Sequence, residues 1–524
     1  MPPEFKKQYK SETQYPCVFL AFLLKFGYNK YEDTLLKASL TTEKILAGLN
    51  KIPDKIKDFF YSDVYILTVA LISFVSWVSG IVALGWILII LIASFALIVI
   101  DDAQPLFPLL FFVPFCISDT TDISQYYPLL PFLAILIAAL VFHIVFYRPK
   151  KFKTGEAFYS QIAVSVALIL GGCTSVSAQR YLGALSYTLL LGVGVLFVYV
   201  VFRNYIKNSK IDSYDYMAKT LMYMGLVMVL QIFTYYARHR FGTDISTWNA
   251  YEWINLGWGI DNNAATLLLI AAPATFYLST KSHRPFPFLL LGFVQYAAII
   301  LSFSRGSILV ALVTAPFVVL LTLWKAENKW ETFIVCAAAV MFVFVAILAL
   351  YKEINAMTAQ IFVDGISSNS RVALYLEALE CFKNHPLFGV GGGYNGTNFE
   401  NHVVEVVFYW FHSTPFEIIG GYGLLGIAAY GYNYYKRIKV TTRDMFKDSF
   451  TQFIILSVLG FELYSLVDTG TFVPIPNMFI IFSLMALMEF VQQNDKSINK
   501  FLSGNSQCAY CRIARQRANI RKAA

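Results

Sequence analysis

Residues 411–417 read FHSTPFE, and residues 420–426 read GGYGLLG. They close a polar stretch, 351–413, which is the only long hydrophilic segment enclosed by apolar runs of membrane-span length. His412 therefore places a titratable imidazole where a new apolar helix begins. The sequence predicts that the remaining spans form a scaffold, which holds this loop and a few arginines on one side of a membrane.

The composition indicates a membrane protein. Of 524 residues, 57% are hydrophobic and 14% are charged, against about 25% charged in a typical soluble domain. Apolar runs recur almost from end to end, and a bilayer requires about 20 such residues per helix. The runs are continuous rather than alternating, which excludes a β-barrel. We therefore predict an all-α polytopic membrane protein with about 12–14 transmembrane helices and one long extracytoplasmic loop.

Fourteen spans fit the hydropathy pattern when the N-terminus is placed inside. The third, 105–118, is short and contains three prolines, but without it Arg148 and every later basic loop would lie outside. The spans are predicted at 64–80, 81–100, 105–118, 127–147, 158–178, 182–203, 216–236, 263–280, 286–303, 305–324, 331–350, 414–435, 449–467 and 473–491. The expected segments are a cytoplasmic or interfacial segment (1–60), transmembrane helices 1–11 (61–350), the extracytoplasmic loop (351–413), the last three transmembrane helices (414–491) and a basic cytoplasmic tail (492–524).

The basic residues support this topology and indicate an anionic partner. The net charge of +8 reflects lysines and arginines retained on the cytoplasmic side, so it does not call for nucleic acid. On this layout all but seven of the 41 Lys and Arg residues lie inside. Five of the seven are arginines, whose planar fork binds phosphate in a bidentate manner, although some can simply snorkel to the interface. The seven are Arg180, Arg238, Arg240, Arg305, Lys352, Arg371 and Lys383.

The cysteines and the N-terminal segment indicate neither a metal site nor a signal peptide. The cysteine count of seven is odd, which implies no disulfide framework. Cys508 and Cys511 form a lone CxxC, and a zinc site would need two more ligands. The apolar run Cys17–Leu24 is too short for a span and lacks a cleavage site, so we expect a helix lying on the inner membrane surface.

Three of the outward-facing patterns lie in turns and loops. FSRGS at 303–307 is a hinge between spans of opposite direction, where Gly306 permits the tight reversal and Arg305 lies at the membrane boundary. An amphipathic helix begins at Ser370-Arg371 and leads to the glycine run 389–393, which would let the backbone approach a ligand. In GWGIDNNAA at 257–265, the amides and Trp258 suit contacts with sugar faces, although interfacial aromatic residues are common.

The fourth pattern is His412 with Glu417. A histidine near pH 7 can accept a proton from a sugar hydroxyl, so His412 is the candidate general base. Glu417 would orient the imidazole or the acceptor, or would favour the helix N-terminus by its charge. The alternative for His412 is a structural histidine that caps the following helix.

These patterns together resemble the O-antigen ligase and polymerase superfamily over about residues 258–490. The resemblance rests on SRG at 304–306, on Arg371 followed by HPLFGVG at 385–391, and on HSTPFE at 412–417 with YGLLG at 422–426. Members of that superfamily handle polysaccharides at the outer face of the bacterial inner membrane. The order, spacing and common sidedness of the segments carry the resemblance, and the first eight spans match by pattern only.

The resemblance implies an inverting glycosyltransferase of the GT-C type that uses no metal, nucleotide sugar or other cofactor. Its donor would be a glycan on undecaprenyl pyrophosphate, and its acceptor a hydroxyl of a glycan or of lipid A-core. Such an enzyme would serve surface polysaccharide biosynthesis (O-antigen, lipopolysaccharide or capsule). Carried over by position, Arg305 and Arg371 bind the pyrophosphate and His412 activates the acceptor. The other candidates are Arg180 and Arg238 for the pyrophosphate and Glu417 for catalysis.

Other functions remain open. A flippase for the same lipid-linked sugars would keep polar residues at the bilayer midplane and show internal repeats, whereas the predicted spans are nearly free of ionisable groups and no clear repeat is evident. A protein O-oligosaccharyltransferase shares the donor chemistry, so the sequence does not separate it from a ligase or a polymerase. A structural or assembly protein is disfavoured by the outward arginines.

Overall fold

The computed structural model describes residues 53–118, 127–149, 151–207, 211–239, 254–349, 351–352, 370–393 and 410–503. The chain divides into two units, residues 1–56 and residues 57–524, and every predicted span lies in the second. Several sequence expectations fall outside the described residues, namely the helix at Cys17–Leu24, Arg240, and the cysteines 508 and 511.

All the regular secondary structure of the described residues is helical, apart from one isolated antiparallel bridge between Asn255 and Ile260. The all-α class is thus confirmed. A 3₁₀ turn, Val113–Cys116, extends α4, and a π-helical segment, Leu190–Gly194, joins α7 to α8. The helices are α1 (Asp54–Phe59), α2 (Asp63–Ser79), α3 (Val82–Val99), α4 (Leu106–Phe112), α5 (Leu130–Phe146), α6 (Phe158–Leu170), α7 (Ala178–Leu189), α8 (Val195–Tyr205), α9 (Ser213–His239), α10 (Asp261–Thr280), α11 (Phe286–Leu301), α12 (Arg305–Lys325), α13 (Lys329–Ala349), α14 (Ser370–Asn384), α15 (Thr414–Thr442), α16 (Ser449–Val467) and α17 (Pro476–Ser503).

Each of the fourteen predicted spans coincides with one or more of these helices. By length and composition, seven stretches of the described chain are able to cross a membrane. Four further apolar helices, α2, α4 with its 3₁₀ extension, α6 and α11, are shorter. The seven are Val82–Val99, Tyr127–Phe146, Ala178–Tyr205, Ser213–His239, Asp261–Thr280, Arg305–Lys325 and Ser449–Val467.

Polar contacts gather at two opposite ends of the helices. In α9, Lys219 near the first turn pairs with Asp63 at 2.8 Å, while Arg238 in the last turn donates to the carbonyl of Val78 at 3.0 Å. The first of these ends, which we call the basic end, also carries Glu156 with its ring of cations. Hydrogen bonds from those cations outweigh burial and bring the pKa of Glu156 down to about 2. The cations are Lys436, Lys439 and Arg443.

The short third span connects the two ends. At the basic end Ala103 donates its amide to the carbonyl of Tyr205 at 3.0 Å. Toward the other end the carbonyl of Phe115 accepts from the side chain of Gln231 at 2.9 Å. An α-helix rises about 1.5 Å per residue, so α4 and its 3₁₀ turn are shorter than the helix of about 20 residues that a bilayer requires. The non-helical residues on either side lengthen this span.

Two ion pairs lie between helices, one buried and one half-buried, contrary to the expectation that the spans are nearly free of ionisable groups. The sequence places Arg203 and Arg437 in inner loops, but they lie in α8 and α15. Arg203 pairs with Glu489 at 3.0 Å, with both side chains buried, and Arg437 pairs with Glu462. The loop placement is wrong because both arginines lie within clusters of lysines and arginines, and their acidic partners lie on other helices.

We expect Arg203→Leu to lower the free energy of unfolding by about 3 kcal/mol, because it leaves Glu489 buried with an uncompensated charge. Thermal unfolding of the purified protein in detergent micelles measures the change. The double variant with Glu489→Leu removes both charges and should recover most of the loss. If the double variant is no more stable than the single one, the charge pair is not the cause.

Candidate active site

The carboxylate of Asp468, just past the end of α16, is the hub of the polar contacts opposite the basic end. Asp468 is only 7% exposed. Its Oδ2 accepts from the hydroxyl of Tyr464 at 2.8 Å and from the amide of Asn262 at 3.1 Å. Its Oδ1 lies 3.3 Å from Nδ1 of His412. Burial raises the pKa of Asp468, but the contacts with His412, Tyr464 and Thr469 together outweigh burial and hold this pKa below its usual value.

The segment around His412 is held in place by a backbone hydrogen bond as well as by the contact of the His412 ring. The backbone amide of Thr414 donates to the carbonyl of Asp468 at 3.0 Å, which ties the start of α15 to the end of α16. The His412 side chain is 45% exposed. Because Nδ1 faces Asp468, Nε2 is the ring nitrogen directed to an incoming group, and the described residues give it no hydrogen-bond partner. A carboxylate on one nitrogen fixes the tautomer and orientation that a general base needs.

Two backbone positions near these groups are strained. His412 has φ 51° and Phe303 has φ 57°, and they are the two non-glycine residues with positive φ among those the structure describes. Side chains with a Cβ rarely adopt this region, and such outliers tend to cluster at functional sites. The positive φ of Phe303 also indicates that the chain reverses its direction at this residue, before α12. The sequence assigned that role to Gly306, which instead lies inside the helix.

Arg371 and the first turn of α12, which begins at Arg305, both lie against the last residue of α16, Val467. A Cβ placed on Gly306 would lie 3.0 Å from the Val467 side chain, so this glycine brings the first turn of α12 against the end of α16. Arg371, from the start of α14, donates Nη1 to the Val467 carbonyl at 2.8 Å. Arg305 is exposed beside that contact, and the part of the chain that the structure describes gives it no ion-pair partner.

A chain of hydrogen bonds fixes the start of α12 relative to Asp468. The hydroxyl of Ser304 donates to Oδ1 of Asn262 at 2.6 Å, and Nδ2 of Asn262 donates to Asp468. The same Ser304 hydroxyl contacts Ser307 at 2.9 Å. Arg305, Arg371 and His412, which the sequence singled out separately, are therefore brought together around the two-residue segment 467–468.

The other two candidate arginines have partners elsewhere. Arg238 donates to the carbonyl of Val78 and lies over the ring of Trp77 at 5.9 Å. Arg180, in the first turn of α7, donates to the carbonyl of Gly393 at 3.1 Å. Their described contacts are thus with the scaffold and with the glycine run.

Glu417 is buried and contacts backbone rather than the imidazole. Its Oε1 accepts from the amide of Gly393 at 2.8 Å, and its Oε2 accepts from the amide of Phe411 at 3.1 Å. One carboxylate thereby holds both flanks of the segment 394–410. The carboxylate that contacts the His412 ring is that of Asp468.

The glycine run packs against helix backbone. The amides of Val390 and Gly391 donate to the carbonyls of Gly420 and Gly421 at 3.0 and 2.8 Å. A Cβ on Gly389, which has φ 64°, would come within 2.3 Å of the Gly421 carbonyl carbon. The sequence predicted that this run approaches a ligand, but the group it approaches is α15.

Trp258 likewise has a structural setting. Its indole N–H donates to the side-chain oxygen of Gln231 at 2.9 Å, and its ring meets Phe115 edge-on at 4.8 Å between centroids. These contacts fasten the segment before α10, so that Asn262 reaches Asp468. The predicted contact of Trp258 with a sugar stays a prediction.

Residues 287–431 match the family model described as O-antigen ligase. Over these residues the chain is similar to the O-antigen ligase family. The resemblance to the O-antigen ligase and polymerase superfamily is thereby confirmed. A search among curated proteins gave no match to this chain. The matched range contains Arg305, Arg371 and His412, whereas Asp468 lies beyond it.

Sequence reasoning missed Asp468 and its partners Tyr464 and Asn262. The available signal was the single carboxylate in SLVDTG at 465–470, at the outer end of a predicted span. The topology rule singles out cations stranded outside and gives no weight to the anions that could face them. Among the described residues, no group of three or more His, Cys, Asp or Glu side chains is arranged to hold a metal ion.

Glu417→Gln should lower the free energy of unfolding by about 1–3 kcal/mol, because an amide offers one acceptor oxygen where two buried N–H groups need one each. Glu380→Gln, at an exposed position of α14, is the matched control and should leave stability unchanged. Thermal unfolding in detergent micelles compares the two variants. Equal midpoints would show that Glu417 does not tether residues 393 and 411.

Proposed function

We propose that this protein is a membrane glycosyltransferase of the O-antigen ligase type, which moves a glycan from undecaprenyl pyrophosphate to the hydroxyl of an acceptor at the outer face of the bacterial inner membrane. The observation that carries the proposal is the His412–Asp468 pair, which lies near the arginine-bearing starts of α12 and α14. His412 and both arginines fall within the residues that are similar to the O-antigen ligase family. The basic end of the helices would face the cytoplasm, as positive loop charge favours.

Arg305 and Arg371 would bind the diphosphate of the donor. Arg371 contacts the Val467 carbonyl, and Arg305 begins the helix whose first turn packs on Val467, so the two residues would approach the same anion from different helices. As the glycosidic bond breaks, negative charge develops on the diphosphate, and fixed cations in a water-poor site stabilise that charge. A bidentate fork also orients the phosphate, which a lysine would not do equally well.

His412 would act as the general base. Its Nε2 takes the proton from the acceptor hydroxyl while that oxygen bonds to the anomeric carbon. The bond from the anomeric carbon to the diphosphate oxygen breaks, and its electron pair leaves with the diphosphate. Asp468 holds the imidazole in orientation and stabilises the imidazolium that forms. One direct displacement inverts the anomeric configuration.

The acceptor decides between closely related activities. A ligase would use lipid A-core, a polymerase would use another lipid-linked repeat, and an O-oligosaccharyltransferase would use a protein. The similarity of residues 287–431 to the O-antigen ligase family favours the ligase. The alternative of a flippase draws support from the ionisable residues inside helices, but Arg203 and Glu489 are buried against each other rather than arranged along a path.

Deletion of the gene in the source bacterium should leave full-length glycan chains on the lipid carrier. A wild-type copy restores transfer, His412→Ala does not, and Asp468→Asn lowers the rate by about a hundredfold or more because the imidazole loses its orienting charge. Gel analysis of carrier-linked and transferred glycan gives the readout, with membrane levels checked by immunoblot. Single repeats on the acceptor would identify a polymerase instead, and an active His412→Ala protein would return His412 to a structural role.

Arg305→Lys should lose most transfer activity although the charge is kept, because the bidentate geometry is lost. Arg284→Lys, an exposed substitution at the basic end, serves as the control. Initial transfer rates with purified proteins in nanodiscs compare the two. Wild-type turnover by Arg305→Lys would contradict the diphosphate role.

A further inference from the structure

One carboxylate at the basic end of the helices has three cationic partners. Glu156 accepts hydrogen bonds from Lys436 at 3.2 Å, from Lys439 at 3.1 Å and from Arg443 at 2.7 Å. The three cations lie at the end of α15, and their side chains are partly exposed. A single carboxylate cannot neutralise three cations, so the cluster keeps a net positive charge.

Lysines elsewhere at the basic end have carboxylates of their own. Lys219 pairs with Asp63 at 2.8 Å. Lys281 pairs with two carboxylates, Asp215 at 2.6 Å and Asp212 at 3.2 Å. The excess of cations at the end of α15 is therefore a local feature, which the general placement of positive charge at this end does not account for.

The second carboxylate beside the cluster does not remove the excess. Glu489 accepts from the backbone amide of Glu156 at 3.1 Å and from the hydroxyl of Tyr199 at 2.7 Å. Its ion-pair partner is Arg203, at 3.0 Å, and both side chains of that pair are buried. Because Arg203 neutralises Glu489, the partly exposed cations around Glu156 remain in excess.

Lys153 adds a fourth cation on the same loop as Glu156. Its backbone amide donates to the side-chain oxygen of Asn204 at 2.7 Å, and its carbonyl accepts from the side-chain nitrogen of Asn204 at 3.0 Å. Partial burial, and to a lesser extent the charge of Arg203, lower the pKa of Lys153. A positive charge is thus already disfavoured at this point, and an added anion would be favoured.

The loop that carries Lys153 and Glu156 is packed tightly against α8 and α17. Gly155 has φ 75°, and a Cβ at this position would clash with the hydroxyl of Tyr199. The same hydroxyl accepts from the backbone amide of Ala157 at 3.2 Å. The backbone of the loop is therefore fixed before any ligand binds, which reduces the entropy cost of binding an anion there.

Exposed aromatic side chains flank the cluster. Phe152 and Tyr159, which precede and follow the loop, are exposed, and so is Tyr435 of α15. Nζ of Lys436 lies 5.9 Å from the ring centroid of Tyr435. Tyrosines are enriched where a membrane meets water, so this setting is that of lipid headgroups. A phospholipid can contact both the cations and the rings, whereas a small soluble anion gains nothing from the rings.

We propose that the phosphate headgroup of an anionic phospholipid is bound at the basic end by four cations, namely Lys153, Lys436, Lys439 and Arg443. The lipid supplies the negative charge that Glu156 alone does not provide, and its acyl chains remain in the bilayer. Clusters of lysines and arginines beside a membrane attract anionic lipids in this way. The site lies at the opposite end of the helices from His412, so the inference does not depend on the proposed function.

Photo-crosslinking tests the binding directly. The full chain is placed in nanodiscs of phosphatidylcholine that contain a small fraction of photoactivatable phosphatidylglycerol, and crosslinked peptides are identified after digestion. Crosslinks should concentrate in residues 151–160 and 432–443. The double variant Lys436→Gln with Lys439→Gln should lower their yield about tenfold, because each lysine contributes to the attraction.

The matched control is Lys325→Gln with Lys329→Gln, which also removes two lysines from the basic end. It should leave the crosslinks at residues 151–160 and 432–443 unchanged. Yields are compared per amount of protein inserted in the nanodiscs. Equal yields from the two double variants would overturn the proposal, and so would crosslinks spread evenly over the basic end.

Glu156→Gln carries the opposite expectation. It removes the carboxylate that competes with the lipid phosphate for the three cations of α15, so it should raise the crosslinking yield about threefold. A cluster that serves only to hold the loop gives no such increase, so an unchanged or lower yield would contradict the proposal.

Glycerol 3-phosphate distinguishes a lipid from a soluble phosphate. It carries the headgroup phosphate without acyl chains, so at millimolar concentration it should leave the crosslinks in place. Their loss would show that the site takes a soluble phosphate and that the assignment to a phospholipid is wrong. Crosslinking requires no glycan transfer, so the result stands whether or not the protein is active.

Discussion

The pairing of His412 with Asp468 is the interaction on which the candidate site depends. The two residues are 56 positions apart, and they meet because one precedes α15 and the other follows α16. An exposed histidine has no preferred direction, whereas a buried carboxylate with several donors is fixed in place. The contact with Asp468 therefore fixes the orientation of the His412 ring. The backbone hydrogen bond from the amide of Thr414 to the carbonyl of Asp468 holds the two segments together.

The rigidity of Asp468 comes in turn from α10. Every residue of this helix from Ala264 to Thr280 is buried, as expected for a helix that is surrounded by others. Asn262, in its first turn, reaches both Asp468 and Ser304. A central helix with no freedom to tilt therefore sets the distance between the start of α12 and the end of α16. Arg305, which is exposed, and His412, which is half-exposed, are attached to these helices. The packing of the helices, rather than the contacts of the two side chains, therefore determines the spacing between them.

The sequence identified polar residues that contrast with apolar surroundings, but it did not identify partners that are distant in the chain. Arg305, Arg371 and His412 stood out because polar residues are costly at membrane boundaries, and the structure brings all three to residues 467–468. Glu417 was paired with His412 because it is near in sequence, but in a helix each side chain points about 100° from the last, which turns Glu417 toward Gly393. The glycine run predicted that the backbone approaches another group closely, but the sequence did not show which group. The sequence did not single out Asp468, because one carboxylate after a span indicates a functional site only when the histidine that faces it is known.

The membrane setting explains why the arginine-bearing starts of α12 and α14 converge on the end of α16. In the proposed function, a diphosphate that enters the site at the membrane boundary needs cations that are already in place, because fixed charges stabilise it without reorganisation. Cations without an anion would themselves be costly there. Arg371 meets this constraint by donating to the carbonyl of Val467, one of the unsatisfied carbonyls at a helix end, where the helix dipole favours positive charge. The end of α16 thus stabilises Arg371 before substrate arrives, and its next residue, Asp468, supplies the carboxylate for His412. In the proposed function, a single helix terminus would thus serve the leaving diphosphate and the attacking hydroxyl together.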